Sequence, residues 1–287
     1  MKKLFDFTKE SVNTLAEADV ARALAEDVEG GDLTADLIDA GRSATAQVLV
    51  RESAVICGSA WVQAAVLQLD PQAHITWHVS DGERCEANQV VLEIKGRAQA
   101  LLTAERTALN FLQLLSAVAT KTAAYVEAVK GTQAKIVDTR KTLPGLRLAQ
   151  KYAVRMGGGT NHRMGLYDAV LIKENHIAAA GGIAQALARA AIVAAQADFV
   201  QIEVETLSQL AQVLDAGARM VLLDNMDLAQ LREAVRINRG RASLEISGGV
   251  TLEGLRTLAE TGVDRISIGG LTKDVKAVDF SMRFQNV

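Results

Sequence analysis

The sequence predicts an α/β protein in which a β/α barrel follows a smaller N-terminal α/β layer. Three observations carry this. After Gly131, strand-like pieces recur at 135–139 (KIVDT), 169–173 (AVLIK), 199–204 (FVQIEV), 219–223 (RMVLL), 243–247 (SLEIS) and 265–269 (RISIG). Helical patterns lie between them at 145–155, 183–196, 206–215, 227–238 and 251–261, and repeated βα units of this size pack as a parallel sheet with outer helices. An open doubly wound sheet or a closed barrel satisfies that alternation. The placement of polar residues favours the barrel: Asp138, Arg140, Lys141, Lys173, Glu203, Asp224, Ser247 and Gly269-Gly270 stand at or just past the C-terminal ends of strands, which in a barrel converge on one mouth. Thirdly, the first hundred or so residues lack this rhythm and read as a separate layer.

In that layer, residues 14–28 space Leu15, Val20, Leu24 and Val28 as a helix, which Gly30-Gly31 stops. Residues 44–58 (ATAQVLVRESAVICG) alternate Ala46, Val48 and Val50 with polar partners, as half-buried strands do. WVQAAVLQL at 61–69 is a short apolar helix ending before Pro71, and HITWHV together with Gln89–Ile94 adds strands around the acidic turn SDGERCEAN. From Ala98 to Val129 the pattern turns to long helices whose stripe of Leu101, Leu109, Leu112, Leu115 and Val118 accompanies Glu105, Arg106 and Asn110. Read alone, Arg106 is a helix-surface residue in an ion pair.

The 287 residues suffice for one large or two ordinary domains. Hydrophobic residues make up 49% and charged ones 23%, as in folded soluble proteins. A net charge of −3 gives no global attraction to nucleic acid or an anionic membrane, so a local cationic cluster needs a local cause. Cys57 and Cys85 form no metal or redox motif and no disulfide framework. The start, MKKLFDFTKESVNTL, lacks an apolar core and does not read as a signal peptide. No apolar run reaches the ~18 residues of a spanning helix, and a reducing, cytoplasmic location is the expectation.

One stretch, Ile136 to His176, gathers Arg140, Lys141, Arg155, His162, Arg163 and Lys173 among apolar strands and a Gly157-Gly158-Gly159 turn. Half-buried cations need counter-charges, so a convergent set of them at strand ends is a candidate anion site. Arginine offers a planar donor fork for carboxylate or phosphate, and lysine a compact charge able to follow a leaving group. Glu203 and Asp224 would repel phosphates, so their partners are ribose hydroxyls or a divalent cation. Among divalent cations, magnesium takes hard oxygen ligands and often keeps waters while bridging a phosphate; the alternative is that each acid is paired with a neighbouring lysine. Ser247-Gly248-Gly249 and Gly269-Gly270 follow the last two strands, where backbone N–H groups can approach phosphate. No GxxxxGK[ST] loop is present, which argues against a P-loop hydrolase.

The run DTRKTLPGLRLAQKYAVRMGGGTNHRMGLYDAVLIKENH resembles the quinolinate phosphoribosyltransferase family, the carboxylating nicotinate-nucleotide pyrophosphorylases of NAD biosynthesis. AERTALNFLQLLSAVAT at 104–120, IEVET at 202–206, VLLDN at 221–225, LEISGGV at 244–250, DRISIGGLT at 264–272, the early GDLT and the final AVDFSMRF also fit, in order. The resemblance implies an incomplete, seven-stranded β/α barrel at 116–273, an N-terminal α/β sandwich domain at 1–115, and a final segment, 274–287, packing back on the first domain. GTNHR at 159–163 is the candidate for the seventh strand. It also implies the substrates, quinolinate and 5-phosphoribosyl 1-pyrophosphate. Arg106, Arg140, Lys141, His162, Arg163, Lys173, Glu203 and Asp224 would be the catalytic and substrate-binding set, and Ser247, Gly248, Gly249, Gly269 and Gly270 the phosphate site. Magnesium would be served by Glu203 and Asp224 through substrate or water, and Arg106 would reach the partner's site in a homodimer. The nearest rival is a phosphoribosyltransferase for another base, and a neutral purine would leave much of this positive charge unmatched. A silent binding protein would not need the clustered mouth residues.

Overall fold

The computed structural model, which describes residues 5–285, begins with helix α1 (Lys9–Asp27), where Thr8 Oγ1 accepts the Ser11 N–H at 3.3 Å and caps the first turn. Strand β1 (Ser43–Val50) and the short β2 (Ala54–Val55) follow, then α2 (Ser59–Leu69), β3 (His74–Trp77), β4 (Arg84–Cys85) and β5 (Val90–Arg97). The expected alternation is present in β1: Ala44, Ala46, Val48 and Val50 are buried, and the residues between them are not. From Ala98 to Ala128 the chain forms one uninterrupted 31-residue helix, α3.

After α3 come β6 (Lys135–Val137), α4 (Arg147–Met156), β7 (Val170–Ile172), α5 (Glu174–Ala180), α6 (Ile183–Val193), β8 (Val200–Val204), α7 (Leu207–Asp215), β9 (Met220–Leu223), α8 (Leu228–Asn238), β10 (Ser243–Ser247), α9 (Leu252–Ala259), β11 (Arg265–Ser267) and α10 (Gly270–Lys273). The last strand, β12 (Phe280–Gln285), pairs antiparallel with β1 from Phe280 opposite Val50 to Gln285 opposite Thr45. Of the closing segment 274–287, the last two residues lie outside the described residues, as do the first four of the chain. Among the described residues no single helix is long and apolar enough to cross a membrane.

Two units result. One comprises Phe5–Ala123, Leu143–Gly158 and the chain from Asp274. Its four-stranded antiparallel sheet runs β12-β1-β5-β3, and its core joins Val12 and Val20 of α1, Trp61 and Val66 of α2, Leu92 and Ile94 of β5, and Leu112 and Leu115 of α3. Helix α4 belongs here, although its place between two strands of the repeat marks it in sequence as one more outer helix of the barrel. The reason is its apolar face: Ala149, Ala153 and Val154 are part of this core. Gly157 closes the helix where a Cβ would stand 2.4 Å from the Ala119 carbonyl oxygen and 2.6 Å from Thr122 Cβ, so only glycine permits the approach to α3.

The other unit comprises Ala124–Thr142 and Gly159–Lys273. Six parallel strands run in the order β6-β11-β10-β9-β8-β7, and Thr160 adds a single parallel bridge to Val137 of β6. Alternation divides each strand: Ile136, Ile202, Val204, Val221, Leu223, Leu244, Ile246 and Ile266 pack with Leu210 and Val213 of α7, Leu231 of α8 and Leu255 of α9. Gln201, Glu203, Glu245, Ser247, Arg265 and Ser267 occupy the alternate positions and therefore the opposite face.

Candidate active site

Because every neighbouring pair in the six-stranded sheet is parallel, all six C-terminal strand ends lie along one edge. That edge carries Arg140 and Lys141 after β6, Lys173 after β7, Glu203 near the end of β8, Asp224 after β9, Ser247 at the end of β10 with Gly248-Gly249, and Gly269-Gly270 after β11.

Local contacts set the side chains. Lys173 Nζ pairs with Glu203 Oε2 at 3.1 Å, and its main-chain N–H donates to His176 Nδ1 at 3.0 Å at the start of α5, a helix the sequence pattern does not reveal. Asp224 is half-buried, and among the described residues its carboxylate has no ion pair or hydrogen bond. A Cβ on Gly248 would come within 4.0 Å of Asp224 Oδ1. Gly248 and Gly249 both take positive φ, 99° and 58°, a conformation that suits glycine and leaves their N–H groups without side-chain cover. At Gly269 a Cβ would meet Lys141 Cδ at 2.9 Å, so the glycine makes room for the lysine stem. Lys141 is further fixed through its main chain, its N–H donating to Thr139 Oγ1 at 3.1 Å and its carbonyl accepting from Thr272 Oγ1 at 2.7 Å.

Arg140 and Arg163 are brought close enough to repel. The Arg163 guanidinium is pulled below its usual range, first by burial and then by the Arg140 charge, with Asp168 opposing. Among the described residues Arg163 has no carboxylate at ion-pair distance, and its Nη1 makes only a 3.4 Å hydrogen bond to the Ala169 carbonyl. Two guanidiniums held against their repulsion in a partly desolvated setting favour a polyanionic ligand.

His162 is placed differently from its cationic neighbours. It is 8% exposed, its N–H donates to Asp138 Oδ1 at 2.8 Å, and both ring nitrogens are engaged: Nδ1 accepts the Arg163 N–H at 2.8 Å and Nε2 lies 2.9 Å from Gln201 Oε1. Asn161 Nδ2 donates to the other Asp138 oxygen at 2.7 Å, so this one buried carboxylate fixes the chain leading to Arg163. Gln201 and Glu245, which sit beside His162, and Arg265, which pairs with Glu245, are absent from the sequence-derived candidates. The signal that finds them is the two-residue period within β8, β10 and β11, which puts them in line with Glu203, Ser247 and Ser267.

Arg106 and Arg155 are in the other unit. Arg106 is exposed on α3 and, among the described residues, has no ion pair, unlike the surface ion-pair member that its helix position alone suggests. Arg155 lies over the Phe7 ring, 5.2 Å from its centroid, and is thereby accounted for within the scaffold.

Comparison with known proteins agrees with this geometry. Residues 32–116 match the N-terminal domain of quinolinate phosphoribosyl transferase, and residues 118–283 match its C-terminal domain. A probable nicotinate-nucleotide pyrophosphorylase [carboxylating] of Bacillus subtilis strain 168 is 41% identical over 257 residues, covering 90% of this chain and 89% of that one. The nicotinate-nucleotide pyrophosphorylase [carboxylating] of Mycobacterium leprae is 44% identical over 273 residues, covering 92% and 95%. The solved structure of the nicotinate-nucleotide pyrophosphorylase from Francisella tularensis superposes with a TM-score of 0.92 at 42% identity, over 99% of this chain and 100% of that one. Matched through both domains and in the same order, the chain belongs to the quinolinate phosphoribosyltransferase family.

Proposed function

We propose that the chain transfers the phosphoribosyl group of 5-phosphoribosyl 1-pyrophosphate to quinolinate with decarboxylation, giving nicotinate mononucleotide, pyrophosphate and carbon dioxide in de novo NAD biosynthesis. It is an enzyme, a pentosyltransferase, and its relatives carry that activity in their names. The observation that carries the reading is the Arg140–Arg163 pair, two repelling cations of which Arg163 has no carboxylate at ion-pair distance among the described residues. Quinolinate supplies two adjacent carboxylates, which match the charge and shape of such a pair.

Each group then has a task. Arg140 and Arg163 hold the quinolinate carboxylates, with His162 beside them. Ser247, Gly248, Gly249, Gly269 and Gly270 receive the phosphate, and Lys141 and Lys173 follow the charge of the departing pyrophosphate. Glu203 and Asp224 hold the ribose hydroxyls and would hold magnesium through substrate oxygens or water. Among the described residues Asp224 offers a carboxylate without a protein partner, which supports that role, whereas Glu203 is tied to Lys173 and no cluster of three or more His, Cys, Asp or Glu is present, so the ion would be held chiefly by substrate oxygens and water. When bound, magnesium supplies neutralising charge for the pyrophosphate. The pyridine nitrogen attacks the anomeric carbon as pyrophosphate leaves. The resulting pyridinium stabilises the carbanion left when the adjacent carboxylate departs as carbon dioxide, and a proton from solvent takes its place. The protein's part is positioning and charge stabilisation, with no covalent intermediate.

The same reading extends the fold to an incomplete seven-stranded barrel, supported by the Thr160 bridge beside β6. It also extends the assembly to a cytoplasmic homodimer in which Arg106 completes the partner's site, supported by its exposure and its lack of an ion pair among the described residues. The experiment is a product assay with quinolinate, nicotinate and adenine as competing bases. The expected result is pyrophosphate and carbon dioxide in equal amounts with quinolinate alone. Turnover of another base without carbon dioxide would overturn the assignment.

A further inference from the structure

Behind the strand-end charges lies a second polar layer to which the reaction gives no task. Gln201 and Glu245 are fully buried on the inner face of the sheet, each two residues before a mouth residue of its strand, Glu203 and Ser247. Arg265 Nε donates to Glu245 Oε2 at 2.7 Å, while Glu245 Oε1 stands 3.5 Å from His162 Nε2. Glu245 Oε1 and Gln201 Nε2 have no hydrogen-bond partner among the described residues. A buried carboxylate left half satisfied is costly, and its retention calls for a cause.

The ring of His162 supplies one. A main-chain N–H can only donate, so the 2.8 Å bond from Arg163 N requires a bare Nδ1, and the ring proton must sit on Nε2. There it donates to Gln201 Oε1 at 2.9 Å, with the negative charge of Glu245 Oε1 beside it. The opposite tautomer would set two donors face to face at Nδ1 and break the link to the Arg163 main chain. That link is needed because Arg140 repels the Arg163 guanidinium, and an unanchored side chain would swing away.

We infer that Glu245 and Gln201 are positioning residues for the quinolinate clamp: they hold His162 as the Nε2–H tautomer, and His162 holds the Arg163 main chain. This rests on the reading of Arg163 as a carboxylate-binding group. The outer partners of a binding side chain act through its orientation, and a misplacement of about 1 Å costs on the order of 10²-fold in rate.

The test combines Glu245→Gln and Gln201→Leu with ring-¹⁵N spectroscopy of histidine-labelled protein. The chain has four histidines, and the His162 signal is assigned by its loss in His162→Asn. The parent shows the Nε2–H form. Both variants show tautomer mixing and a kcat/KM for quinolinate lowered by about 10²-fold, with the KM for phosphoribosyl pyrophosphate unchanged. A parent-like tautomer with a parent-like quinolinate KM, or an equal rise in KM for both substrates, overturns the inference. Gln201→Leu buries no unpaired charge, so it decides the matter if Glu245→Gln does not fold. Arg163→Ala separates the two levels. If it keeps full quinolinate affinity, the clamp and the positioning pair fall together; if it loses affinity while the other two variants keep theirs, only the positioning pair falls.

Discussion

Three acids of the antiparallel unit and the strand-end charges of the parallel unit are treated differently. In the first, Asp19 pairs with Arg22 and accepts Trp61 Nε1 at 3.0 Å, Asp70 accepts the Arg97 N–H at 2.8 Å, and Asp81 accepts the N–H groups of Gly58 and Ser59 at the start of α2 and the Tyr152 hydroxyl at 3.0 Å. Each acid ties separate segments of chain together. At the strand ends of the second Lys173 is paired with Glu203, but among the described residues Arg163 and Lys141 have no acid at ion-pair distance and Asp224 has no cation. A charge satisfied internally builds scaffold, whereas one left over, at a cost in stability, is available to a ligand. Substitutions at the mouth should therefore abolish activity with little effect on folding, and those in the scaffold should do the reverse.

The largest expected effect is on turnover. Arg106→Ala and Lys141→Ala should each fold, since loss of an exposed charge changes stability little, yet if the proposed shared-site homodimer forms, each variant alone should be nearly inactive. Mixed heterodimers would hold one site with both defects and one with neither, so activity should return on mixing in proportion to the heterodimer fraction. Verified heterodimers without activity would remove Arg106 from the partner's site.

On the scaffold side, Gly157→Ala places a Cβ against the Ala119 carbonyl oxygen and should destabilise the protein by about 1–3 kcal/mol in denaturant unfolding. Quinolinate affinity in the folded fraction should be kept; a stable variant would show that α4 and α3 can separate freely. Asp224→Asn conserves volume and removes the charge, so turnover should need more magnesium while the unfolding midpoint holds. An unchanged magnesium curve at unchanged maximal rate would count against this role.

The smallest effect concerns pH. The Arg97 N–H, more than any other group, holds the Asp70 carboxyl below its ordinary value of 3.8. The folded pKa being the lower one, this stabilisation is present above 3.8 and is lost as pH falls through the folded value. Asp70→Asn should therefore flatten the stability profile below about pH 4. An unaltered acid limb would exclude Asp70 as a contributor. Asp81 behaves oppositely, its carboxyl pushed up chiefly by burial, so its contribution falls as pH rises from 3.8 through the folded value.

Much of this division was legible before any coordinates. Short apolar runs separated by helical patterns locate all six parallel strands, because a strand covered on both faces is apolar along its length. The polar residues that follow those runs fall together on one edge because all six strands are parallel. Helix α4 misled, since chain order suggested a barrel helix while Ala149, Ala153 and Val154 face the other core. A short, strongly charged helix does not announce which apolar surface it will cover. His162 read as one more mouth cation because its type is visible in sequence but its burial is not. Gln201 and Glu245 were silent because a polar residue inside a strand looks like an exposed one until the sheet's two faces are known.

Calorimetric titration of quinolinate into the parent, Arg140→Ala and Arg163→Ala proteins, with thermal unfolding of the same samples, tests the central claim most directly. Truncating a partly buried charged hydrogen-bonding group should cost about 2–5 kcal/mol of binding, while both unfolding midpoints stay near the parent's. Parent-like quinolinate affinity in both variants would contradict the account.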